Sequence, residues 1–514
     1  MKKIYLFLAL AAGVLTSCDM DKDPVGSLPD DSALITPYNF QSARTALYSG
    51  LKSSIAGSFY NAPEIQCDGF DAVAGFSNKL GEFYRWNFTT QTSDFSTVYG
   101  NYQAIIARAN YIIDSYNKCD MSNKNVFPDQ EDPYSGNPGM PAVNAAKGDA
   151  FFLRAYSIFM LSQYFCADYD ATTANNENTG VSYRLDYAPS PDASTYPGRK
   201  TLAETFMQVK NDLDSAAKYV TEAGAPRSSY ISTDAITALR ARMALAMDDY
   251  ETAAREAEIL ITSGVYTLAS DVNEIASMWQ NDRADEAILQ LPTTSASDLP
   301  LATGLIYQPY QTGAVPDYIP TQTLVDLYSD NDYRKQVYFN SVNIVTNTGG
   351  VGTVYALNKY LLNGRLYQGL GGAEAAKGCV EPQVFRIAEM YLIAAEAYAN
   401  MPDGLSTATY YLNELMRNRI AGFEDRNYAS VEGFMAELRN ERTREMVAEG
   451  TRLFDIKRWH IDMERGVPQQ QDLCMLPGEG TTIMNVPADS PRLTWPIPKH
   501  EIDVNKKIVQ NPGY

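Results

Sequence analysis

The chain has 514 residues, of which 45% are hydrophobic, and a formal net charge of −20. An excess of carboxylates repels nucleic acid, because binding to phosphates requires Lys and Arg side chains that displace counterions. We therefore expect no nucleic-acid partner, and the charge favours a soluble surface with a neutral or cationic ligand. The six cysteines include no C-x-x-C pair, and an odd number remains once Cys18 is set aside. A disulfide framework or a zinc site is therefore not expected.

The N-terminus carries the most specific targeting signal of the chain. Two lysines precede an apolar run over 4–15, which is shorter than a membrane span. The residues Leu-Thr-Ser-Cys at 15–18 resemble a bacterial lipobox, in which a peptidase cuts before the cysteine and the thiol carries the lipid. We predict a lipoprotein signal peptide over 1–17 and lipid attachment at Cys18, which holds the protein on a membrane surface. An ordinary secretory signal is the alternative.

The residues after the cysteine read Asp-Met-Asp-Lys-Asp-Pro over 19–24. The alternating aspartates do not form a calcium loop, because Pro24 stands where such a loop needs glycine. We interpret the segment as an acidic tether, and it resembles the tag that sends Bacteroidota lipoproteins to the cell surface. No later stretch is long and apolar enough to span a bilayer, so we expect the rest of the chain outside the cytoplasm.

Helical periodicity recurs along the rest of the chain, interrupted by long polar loops. Thr201 and Glu204 have the spacing of a capping box at the start of a further helix. No change in composition marks a linker, so we predict a single, mainly α-helical domain over 18–514. Long ordered loops are where binding residues usually lie. The predicted helices cover 36–54, 98–116, 145–165, 383–400, 406–418 and 431–449, and the predicted loops cover 118–139, 167–199, 291–320 and 468–514.

Residues 233–264 predict two helices joined by a tight turn. Thr233 or Asp234 can cap the first helix, the two aspartates at 248–249 form the turn, and Gly264 can end the second helix in the left-handed conformation. Alanines on the facing sides allow the two helices to approach closely. The hairpin resembles a tetratricopeptide repeat, a unit that buries its apolar face only by stacking on neighbours. An ordinary helical hairpin is the alternative.

The sequence contains little that points to catalysis. His460 and His500 are its only histidines, which removes most hydrolase and metalloenzyme layouts. The chain has neither H-E-x-x-H nor G-x-S-x-G, no phosphate loop and no complete dinucleotide loop. We predict no catalytic residue, no bound metal and no cofactor. A surface glycosidase stays open as a less favoured reading, because that chemistry needs only two carboxylates about 5 to 9.5 Å apart.

Aromatic residues in predicted loops are the candidate ligand-binding groups. Core packing explains loop aromatics less easily than aromatics on helices, and flat rings stack on sugars or peptides. One group lies in a Gly- and Asn-bearing stretch over 67–88, and the other lies in the Pro-rich loop 291–320. Packing within the core or the loops is the alternative role. The predicted ligand-binding residues are Phe76, Tyr84, Trp86, Tyr307 and Tyr310.

Several stretches, in their order along the chain, resemble the SusD/RagB family. NERTRE at 440–445 and EGTRLFDIKRW at 449–459 match the family signature E-R-x-x-E…E-G-x-R-x-x-D-x-x-R-W. RIAEMYL at 386–392 matches the R-x-A-E-x-Y-L helix of the family. The segments 320–334 and 496–514 resemble its P-S…D-x-R and its closing P-I-P…E-I-D…N-P-G-Y motifs. With the lipobox and the hairpin, the resemblance covers essentially the whole mature chain.

This resemblance implies an outer-membrane surface lipoprotein with four tetratricopeptide-like helix pairs and an irregular, loop-rich half. Such proteins act as a lid over a SusC-like TonB-dependent transporter, and they capture oligosaccharides without catalysis. In the RagB branch the captured ligands are oligopeptides. The ligand site of the family varies in sequence, so no ligand residue is carried over by motif. The chain has only four tryptophans, which favours the peptide alternative.

The charged residues of the family motifs fit a structural role. On a helix, residues three or four apart are neighbours, and opposite charges at that spacing form ion pairs. The motif arginines stand among carboxylates at this spacing, so we interpret them as structural and not as a binding site. The residues concerned are Arg442, Arg444, Arg452 and Arg458 with Glu441, Glu445, Glu449 and Asp455.

Overall fold

The computed structural model describes residues 34–300, 309–310, 313–314, 316–476 and 484–514, with the backbone alone at 309–310 and 313–314. Helices dominate these residues, which confirms the predicted mainly α class. The helices are α1 (Pro37–Ser53), α2 (Ser58–Gln66), α3 (Gly81–Tyr84), α4 (Ser93–Lys118), α5 (Gly139–Phe165), α6 (Leu202–Ala216), α7 (Thr233–Ala246), α8 (Tyr250–Thr262), α9 (Val272–Gln280), α10 (Gln322–Asp326), α11 (Tyr333–Tyr338), α12 (Arg365–Gly369), α13 (Ile387–Ala399), α14 (Leu405–Arg417), α15 (Val431–Met446), α16 (Arg452–Arg458) and α17 (Lys499–Val504).

Short strands connect the segments between the helices. Within the described residues they form a three-stranded sheet of order β10-β1-β5, a four-stranded sheet of order β3-β4-β6-β7, and the pairs β2-β8 and β9-β11. The strands are β1 (Phe70–Val73), β2 (Ala287–Gln290), β3 (Pro309–Tyr310), β4 (Gly313–Ala314), β5 (Tyr318–Pro320), β6 (Phe339–Val345), β7 (Val351–Leu357), β8 (Gln383–Arg386), β9 (Met463–Glu464), β10 (Cys474–Met475) and β11 (Asn485–Val486).

Side-chain caps fix where the main helices begin. At α6, the Thr201 hydroxyl accepts from Glu204 N at 3.1 Å, and the Glu204 carboxylate accepts from Thr201 N at 2.9 Å. The predicted capping box is therefore confirmed. At α7, the capping residue is Ser232, so the prediction of Thr233 or Asp234 is wrong by one or two positions. The backbone of Ser232 is still extended, which lets its hydroxyl reach back to the free N–H groups of the first turn.

The rest of the α7–α8 hairpin follows the prediction. Asp248 adopts a left-handed φ of 57° in the turn, and Asp249 caps α8. Gly264 follows α8 with a φ of 66°, a conformation that glycine adopts without steric cost. Ala238 on α7 and Ala257 on α8 are fully buried, as a close approach of two helices requires.

The predicted helix over 383–400 is wrong at its first four residues. Gln383–Arg386 forms β8, which pairs antiparallel with β2, and α13 begins only at Ile387. The strand's backbone partners lie about 100 residues earlier in the chain. Local periodicity contains no information about a partner at that separation, so the sequence pattern extended the helix across the strand.

Helices α4, α5 and α6 pack on one another in succession, and α13 packs on both α8 and α14. Helix α5 is buried along most of its length. Among the helices of the described residues, none has the combined length and apolar character needed to cross a membrane. The identity of the hairpins as tetratricopeptide repeats and the single domain over 18–514 stay predictions.

A buried ion-pair cluster, which we call the Glu445 cluster, joins the helices to the loop-rich half. Glu445 on α15 accepts hydrogen bonds from Arg334, Arg386 and Arg419, and the side chains of all four residues are at most 2% exposed. Burial raises the pKa of a carboxyl, but the three guanidiniums hold the pKa of Glu445 well below its ordinary value. The further members are Glu286, Asp332, Lys359, Glu441 and Glu449.

The contacts of the motif arginines are internal, in agreement with the structural role predicted for them. Arg444 pairs with Glu441 at 2.7 Å, and Arg458 pairs with Asp455 at 2.9 Å, both at the helical spacing of three residues. Arg442 instead reaches Asp455, thirteen residues away, at 2.7 Å. Other partners of the motif come from distant segments, as in the pair of Arg452 with Asp68 at 2.5 Å.

The predicted helix over 431–449 ends early, at Met446, because the following residues turn around a buried carboxylate. Glu64 on α2 accepts from the backbone N–H of Gly450 at 2.9 Å and of Thr451 at 3.1 Å. Gly450 has a φ of 77°, and a Cβ there would lie 2.8 Å from the Tyr60 Cα. Only glycine fits this position, which accounts for the glycine of the E-G-x-R motif.

Candidate functional site

The loop aromatics predicted around residue 76 lie beside the three-stranded sheet. Strand β1 is central, with Ala72 opposite Met475 of β10 and opposite Tyr318 of β5. All four residues of β1 are buried. Phe70 and Ala72 belong to a hydrophobic cluster separate from that of the main helices, which we call the second core and which also contains Tyr84, Tyr318 and Trp279. The sheet therefore forms a fixed base for residues 74–86, which follow β1 directly.

Three aromatic rings meet above this base. The ring centroids of Phe76 and Tyr318 are 5.5 Å apart, those of Tyr84 and Tyr318 are 5.7 Å apart, and those of Phe76 and Tyr84 are 6.4 Å apart. All three pairs pack edge to face, which is a favoured arrangement of aromatic quadrupoles. Tyr84 and Tyr318 are buried, whereas Phe76 is half-buried. The cluster therefore presents the side chain of Phe76 to solvent on a rigid aromatic floor.

Hydrogen bonds fix the two buried tyrosines. The Tyr318 hydroxyl donates to the Lys79 carbonyl at 2.6 Å, and the Tyr84 hydroxyl donates to the Met475 carbonyl at 2.5 Å. Arg465 lies 4.5 Å from the centroid of the Tyr84 ring, and its guanidinium donates to backbone carbonyls of the same region. The floor is thus set by folding and does not depend on a ligand.

A buried carboxyl lies under this floor. Asp71 on β1 is fully buried, and one of its oxygens lies 3.4 Å from the Tyr84 hydroxyl. Its other oxygen, Oδ2, has no hydrogen-bond partner among the described residues. Burial raises the pKa of Asp71 to about 6, although the nearby Arg465 favours the charged form.

Polar side chains surround Phe76, and we call this group the Phe76 rim. Asp317 accepts from Ser77 N and from Ser77 Oγ, each at 2.6 Å, and Asn78 Oδ1 accepts from Arg85 Nη2 at 2.6 Å. These groups offer hydrogen-bond donors and acceptors beside an aromatic face, the combination that small-molecule sites use. The rim consists of Phe76, Ser77, Asn78, Lys79, Arg85 and Asp317.

The backbone of the same segment is strained. Asn78, Leu80 and Trp86 have φ values of 65°, 57° and 54°. Such left-handed conformations cost of order 1 kcal/mol or more for a residue with a large side chain, and they cluster at ligand sites. Three of the ten non-glycine residues with positive φ in the described part of the chain thus fall within nine positions. This concentration is a second reason to place a site here.

Trp86, predicted as a ligand residue, lies on the other side of the segment. It is 7% exposed, packs against Phe88 with centroids 5.9 Å apart, and donates from Nε1 to the Gln66 carbonyl at 2.8 Å. It belongs to the core of the helical half, whereas Phe76 and Tyr84 belong to the second core. The structure therefore brings Phe76 and Tyr84 together and separates Trp86 from them. A ligand role for Trp86 stays a prediction.

The two remaining predicted residues belong to the Pro-rich loop. Tyr307 lies outside the described residues. For Tyr310 the backbone alone is described, and it pairs with Gly313 in the β3–β4 hairpin. Strand β4 pairs with Ile344 of β6, and after β6 the Asn347 amide donates to the Gly75 carbonyl at 2.6 Å. The hairpin is thus linked through β6 to the loop that carries Phe76.

The prediction left out Tyr318 of the aromatic floor and five residues of the rim, which are Ser77, Asn78, Lys79, Arg85 and Asp317. Tyr318 belongs to the same Pro-rich stretch as Tyr307. It therefore met the criterion used for the prediction, which was an aromatic residue in a predicted loop. Arg85 lies between the predicted Tyr84 and Trp86, but nothing in the sequence shows that its guanidinium approaches Phe76. That contact depends on how residues 74–86 fold back on β1.

A separate groove competes with the Phe76 rim as a ligand site. It has a volume of about 300 Å³ and runs beside the long loop over 167–199. Tyr196, Pro197 and Ile508 contribute to its lining, and Tyr196 is half-buried. We rank the Phe76 rim first because predicted loop aromatics converge there and because its backbone is strained. The groove provides a natural control for experiments.

Known families match both ends of the chain. A model described as the SusD family matches residues 346–514, and a model described as starch-binding associating with outer membrane matches residues 31–245. A SusD-like protein P2 from Formosa agariphila is 24% identical over 505 residues, which span 90% of this chain and 92% of the relative.

Solved structures share the fold. A SusD superfamily protein from Bacteroides thetaiotaomicron is 22% identical, with a TM-score of 0.75 over 93% of this chain and 100% of the other. A laminarin-binding SusD-like protein is 17% identical, with a TM-score of 0.67 over 93% of this chain and 100% of the other. The two family models, which between them match 31–245 and 346–514, and the family motifs of the sequence identify this chain as a member of the SusD/RagB family.

Proposed function

We propose that this protein is a cell-surface lipoprotein that captures oligosaccharides at the Phe76 rim and delivers them to a SusC-like TonB-dependent transporter. The observation that carries the proposal is the half-exposed Phe76 ring, which rests on two buried tyrosines and is edged by hydrogen-bonding side chains. Membership of a family that includes a starch-binding model and a laminarin-binding neighbour supports a carbohydrate ligand. The protein binds its ligand and does not break it down.

The geometry suits a sugar because the two kinds of surface that a sugar ring offers have counterparts here. The C–H face of a sugar packs on the Phe76 ring, and its hydroxyls bond to groups such as Ser77 and Asn78. The rings of Tyr84 and Tyr318 hold Phe76 from below, so little side-chain freedom is lost when a ligand binds.

The test is calorimetric titration of the soluble form, residues 19–514, with panels of oligosaccharides and of peptides. We expect saturable binding of a glycan without product formation, and we expect Phe76→Ala to weaken it by about tenfold, or ~1.4 kcal/mol. The matched control is Tyr196→Ala in the separate groove, which should leave the affinity unchanged.

Each contrary outcome has a definite meaning. Loss of binding with Tyr196→Ala but not with Phe76→Ala moves the site to the groove. Binding of peptides and of no glycan assigns the protein to the peptide branch of the family. Release of shortened products from a bound glycan makes the protein a glycosidase and overturns the capture proposal.

The proposed lipid anchor is inferred from the N-terminal sequence, and the proposed delivery of the ligand to a transporter is inferred from the family. Cys18→Ser removes the thiol that carries the lipid, and we expect it to move the protein from the outer-membrane fraction to the soluble fraction. Delivery requires contact with the transporter, so the lipidated protein should co-purify with a SusC-like barrel from its native membrane. A Cys18→Ser protein that stays in the membrane fraction with its lipid label contradicts the anchoring proposal.

A further inference from the structure

The Phe76 rim contains two cations that have no acidic partner among the described residues. Arg85 bonds there to the neutral Asn78 amide, and within the described part of the chain the Lys79 ammonium has no hydrogen bond or ion pair. Other exposed arginines vary in this respect: Arg365 contacts Asp282 and Glu381, although its side chain is 41% exposed, whereas Arg108 donates to the Ala46 carbonyl and forms no ion pair within the described residues. The rim differs from these sites because Arg85 lies beside the half-buried ring of Phe76.

Arg85 is held in place beside the aromatic ring. Its guanidinium carbon lies 5.8 Å from the centroid of the Phe76 ring, and Nη2 donates to Asn78 Oδ1 at 2.6 Å. The guanidinium has five N–H donors in a fork that matches the two oxygens of a carboxylate or a sulfate. With one donor engaged by Asn78, the other donors have no partner among the described residues.

The backbone next to Arg85 leaves room for this arrangement. A Cβ at Gly81 would lie 2.3 Å from Asn78 Oδ1 and 2.8 Å from Arg85 Nη2. Any larger residue at this position displaces the Asn78–Arg85 pair. Asn78, whose Oδ1 accepts this bond, has a positive φ of 65°. The absence of a side chain at Gly81 therefore leaves the space in which Asn78 holds one guanidinium.

From this geometry we propose that the Phe76 rim selects acidic glycans, in which a sugar next to the one stacked on Phe76 carries a carboxylate or a sulfate ester. Arg85 supplies the charge-assisted hydrogen bonds, and Lys79 adds a second positive charge. The inference rests on the proposed glycan-capture function and names the class of glycan. The proposal also replaces the expectation of a neutral or cationic ligand, which was based on the net charge of the chain. Recognition depends instead on the charges at the site.

Two acidic groups lie near the rim, but neither forms an ion pair with Arg85 or Lys79 among the described residues. Both oxygens of Asp317 accept hydrogen bonds from Ser77, and Glu82 accepts a hydrogen bond from Thr92. The remaining negative charge of the chain is spread over its surface, and physiological salt screens charges more than about 8 Å apart. Asp317 belongs to the rim and opposes an anionic ligand, so the preference depends on direct hydrogen bonds from the Arg85 guanidinium more than on the summed charge of the rim.

The experiment compares ligands that differ only in charge. Oligogalacturonate is titrated against its carboxyl-reduced form, and a sulfated galactan oligosaccharide is titrated against its desulfated form. We expect at least one acidic member to bind about tenfold or more tightly than its neutral counterpart. This preference should shrink as NaCl rises from about 0.05 M to about 0.5 M. The two pairs show whether the carboxylate or the sulfate is preferred.

Variants assign the preference to residues. Arg85→Gln should reduce the acidic-to-neutral affinity ratio to near one, and Lys79→Gln should reduce it in part. Gly81→Ala keeps both charges but displaces the guanidinium, so it should lower the ratio as well. Lys210→Gln, which removes an exposed charge on α6, is the matched control and should leave the ratio unchanged.

The outcomes separate this inference from the proposed function. Equal affinity of the wild type for the acidic and neutral members of both pairs overturns the acidic preference and leaves glycan capture standing. A preference that survives Arg85→Gln and Lys79→Gln together also overturns it. Absence of binding to any glycan overturns the proposed function itself, and the inference with it.

Discussion

The Glu445 cluster and the Phe76 rim both place arginines beside aromatic rings, but only the cluster matches its arginines with carboxylates. In the cluster, Arg334 contacts Asp332, Glu441 and Glu445, and its side chain is fully buried. On the rim, Arg85 bonds to an amide and stays half-buried.

The difference shows what each set of charges does. A buried charge without a partner costs several kcal/mol, so the cluster is stable only when its pairing is complete. Water solvates the Arg85 guanidinium, so the fold tolerates an unpaired cation there, and its donors stay available to a ligand. The cluster therefore holds the two halves of the protein together, whereas the rim can bind.

The largest expected effect is in the cluster. Glu445→Gln keeps the shape of the side chain but removes the charge that Arg334, Arg386 and Arg419 share. We expect the free energy of unfolding to fall by about 3 to 5 kcal/mol, because three buried cations lose a common partner. The measurement is urea unfolding of residues 19–514 followed by tryptophan fluorescence.

The control for this variant is Glu374→Gln. Glu374 pairs with Lys377 at 2.8 Å, but its side chain is 78% exposed, so we expect no measurable loss. Similar stabilities for the two variants would contradict a structural role of the Glu445 cluster.

An intermediate effect is expected under the rim, where Asp71 is a buried carboxyl that forms no ion pair with any residue the structure describes. The pKa of Asp71 is about 6, above the ordinary value near 3.9. The contribution of Asp71 to the free energy of unfolding is therefore complete below about pH 4, and it is lost as the pH rises through 6. Between pH 4 and pH 7, the free energy of unfolding of Asp71→Asn should therefore rise by about 2 to 3 kcal/mol relative to that of the wild type.

The measurement for Asp71 is urea unfolding of both proteins across that pH range. Because only the difference between the two proteins is used, the titration of other groups cancels. A difference that is independent of pH, or one that favours the wild type at pH 7, would show that Asp71 is ionised in the folded protein at an ordinary pKa.

The smallest effect on stability is expected at the rim. Arg85→Gln makes the same kind of change as Glu445→Gln, the replacement of a charged group by an amide. We expect the free energy of unfolding to change by no more than about 0.5 kcal/mol, because no carboxylate among the described residues depends on Arg85. A loss as large as that of Glu445→Gln would mean that Arg85 is structural.

Much of the fold could be predicted from local sequence. The capping box at Thr201, the turn at Asp248 and the end of α8 at Gly264 were all predicted, because each depends on side chains within a few residues of one another. The mainly helical class followed from periodicity in the same way. The ion pairs of Arg444 and Arg458 within their helices also followed from spacing.

The candidate site could be predicted only in part. Phe76 and Tyr84 were selected because they are aromatic residues in a stretch without helical periodicity, and they do lie together. Trp86 met the same criterion but packs in the helical core, since the strained turn at 78–86 sends its ring to the opposite side. Arg85 was missed because its approach to Phe76 is a property of that turn.

The sequence by itself determined the capping box at Thr201, the α7–α8 hairpin and the family motifs, because these features depend on neighbours along the chain. The tertiary structure decided which charges are buried and paired and which loop residues share a site. Glu445 takes its three arginines from residues 334, 386 and 419, and strand β8 takes its partner from residues 287–290. Such contacts join residues far apart in sequence, and only the folded chain specifies them.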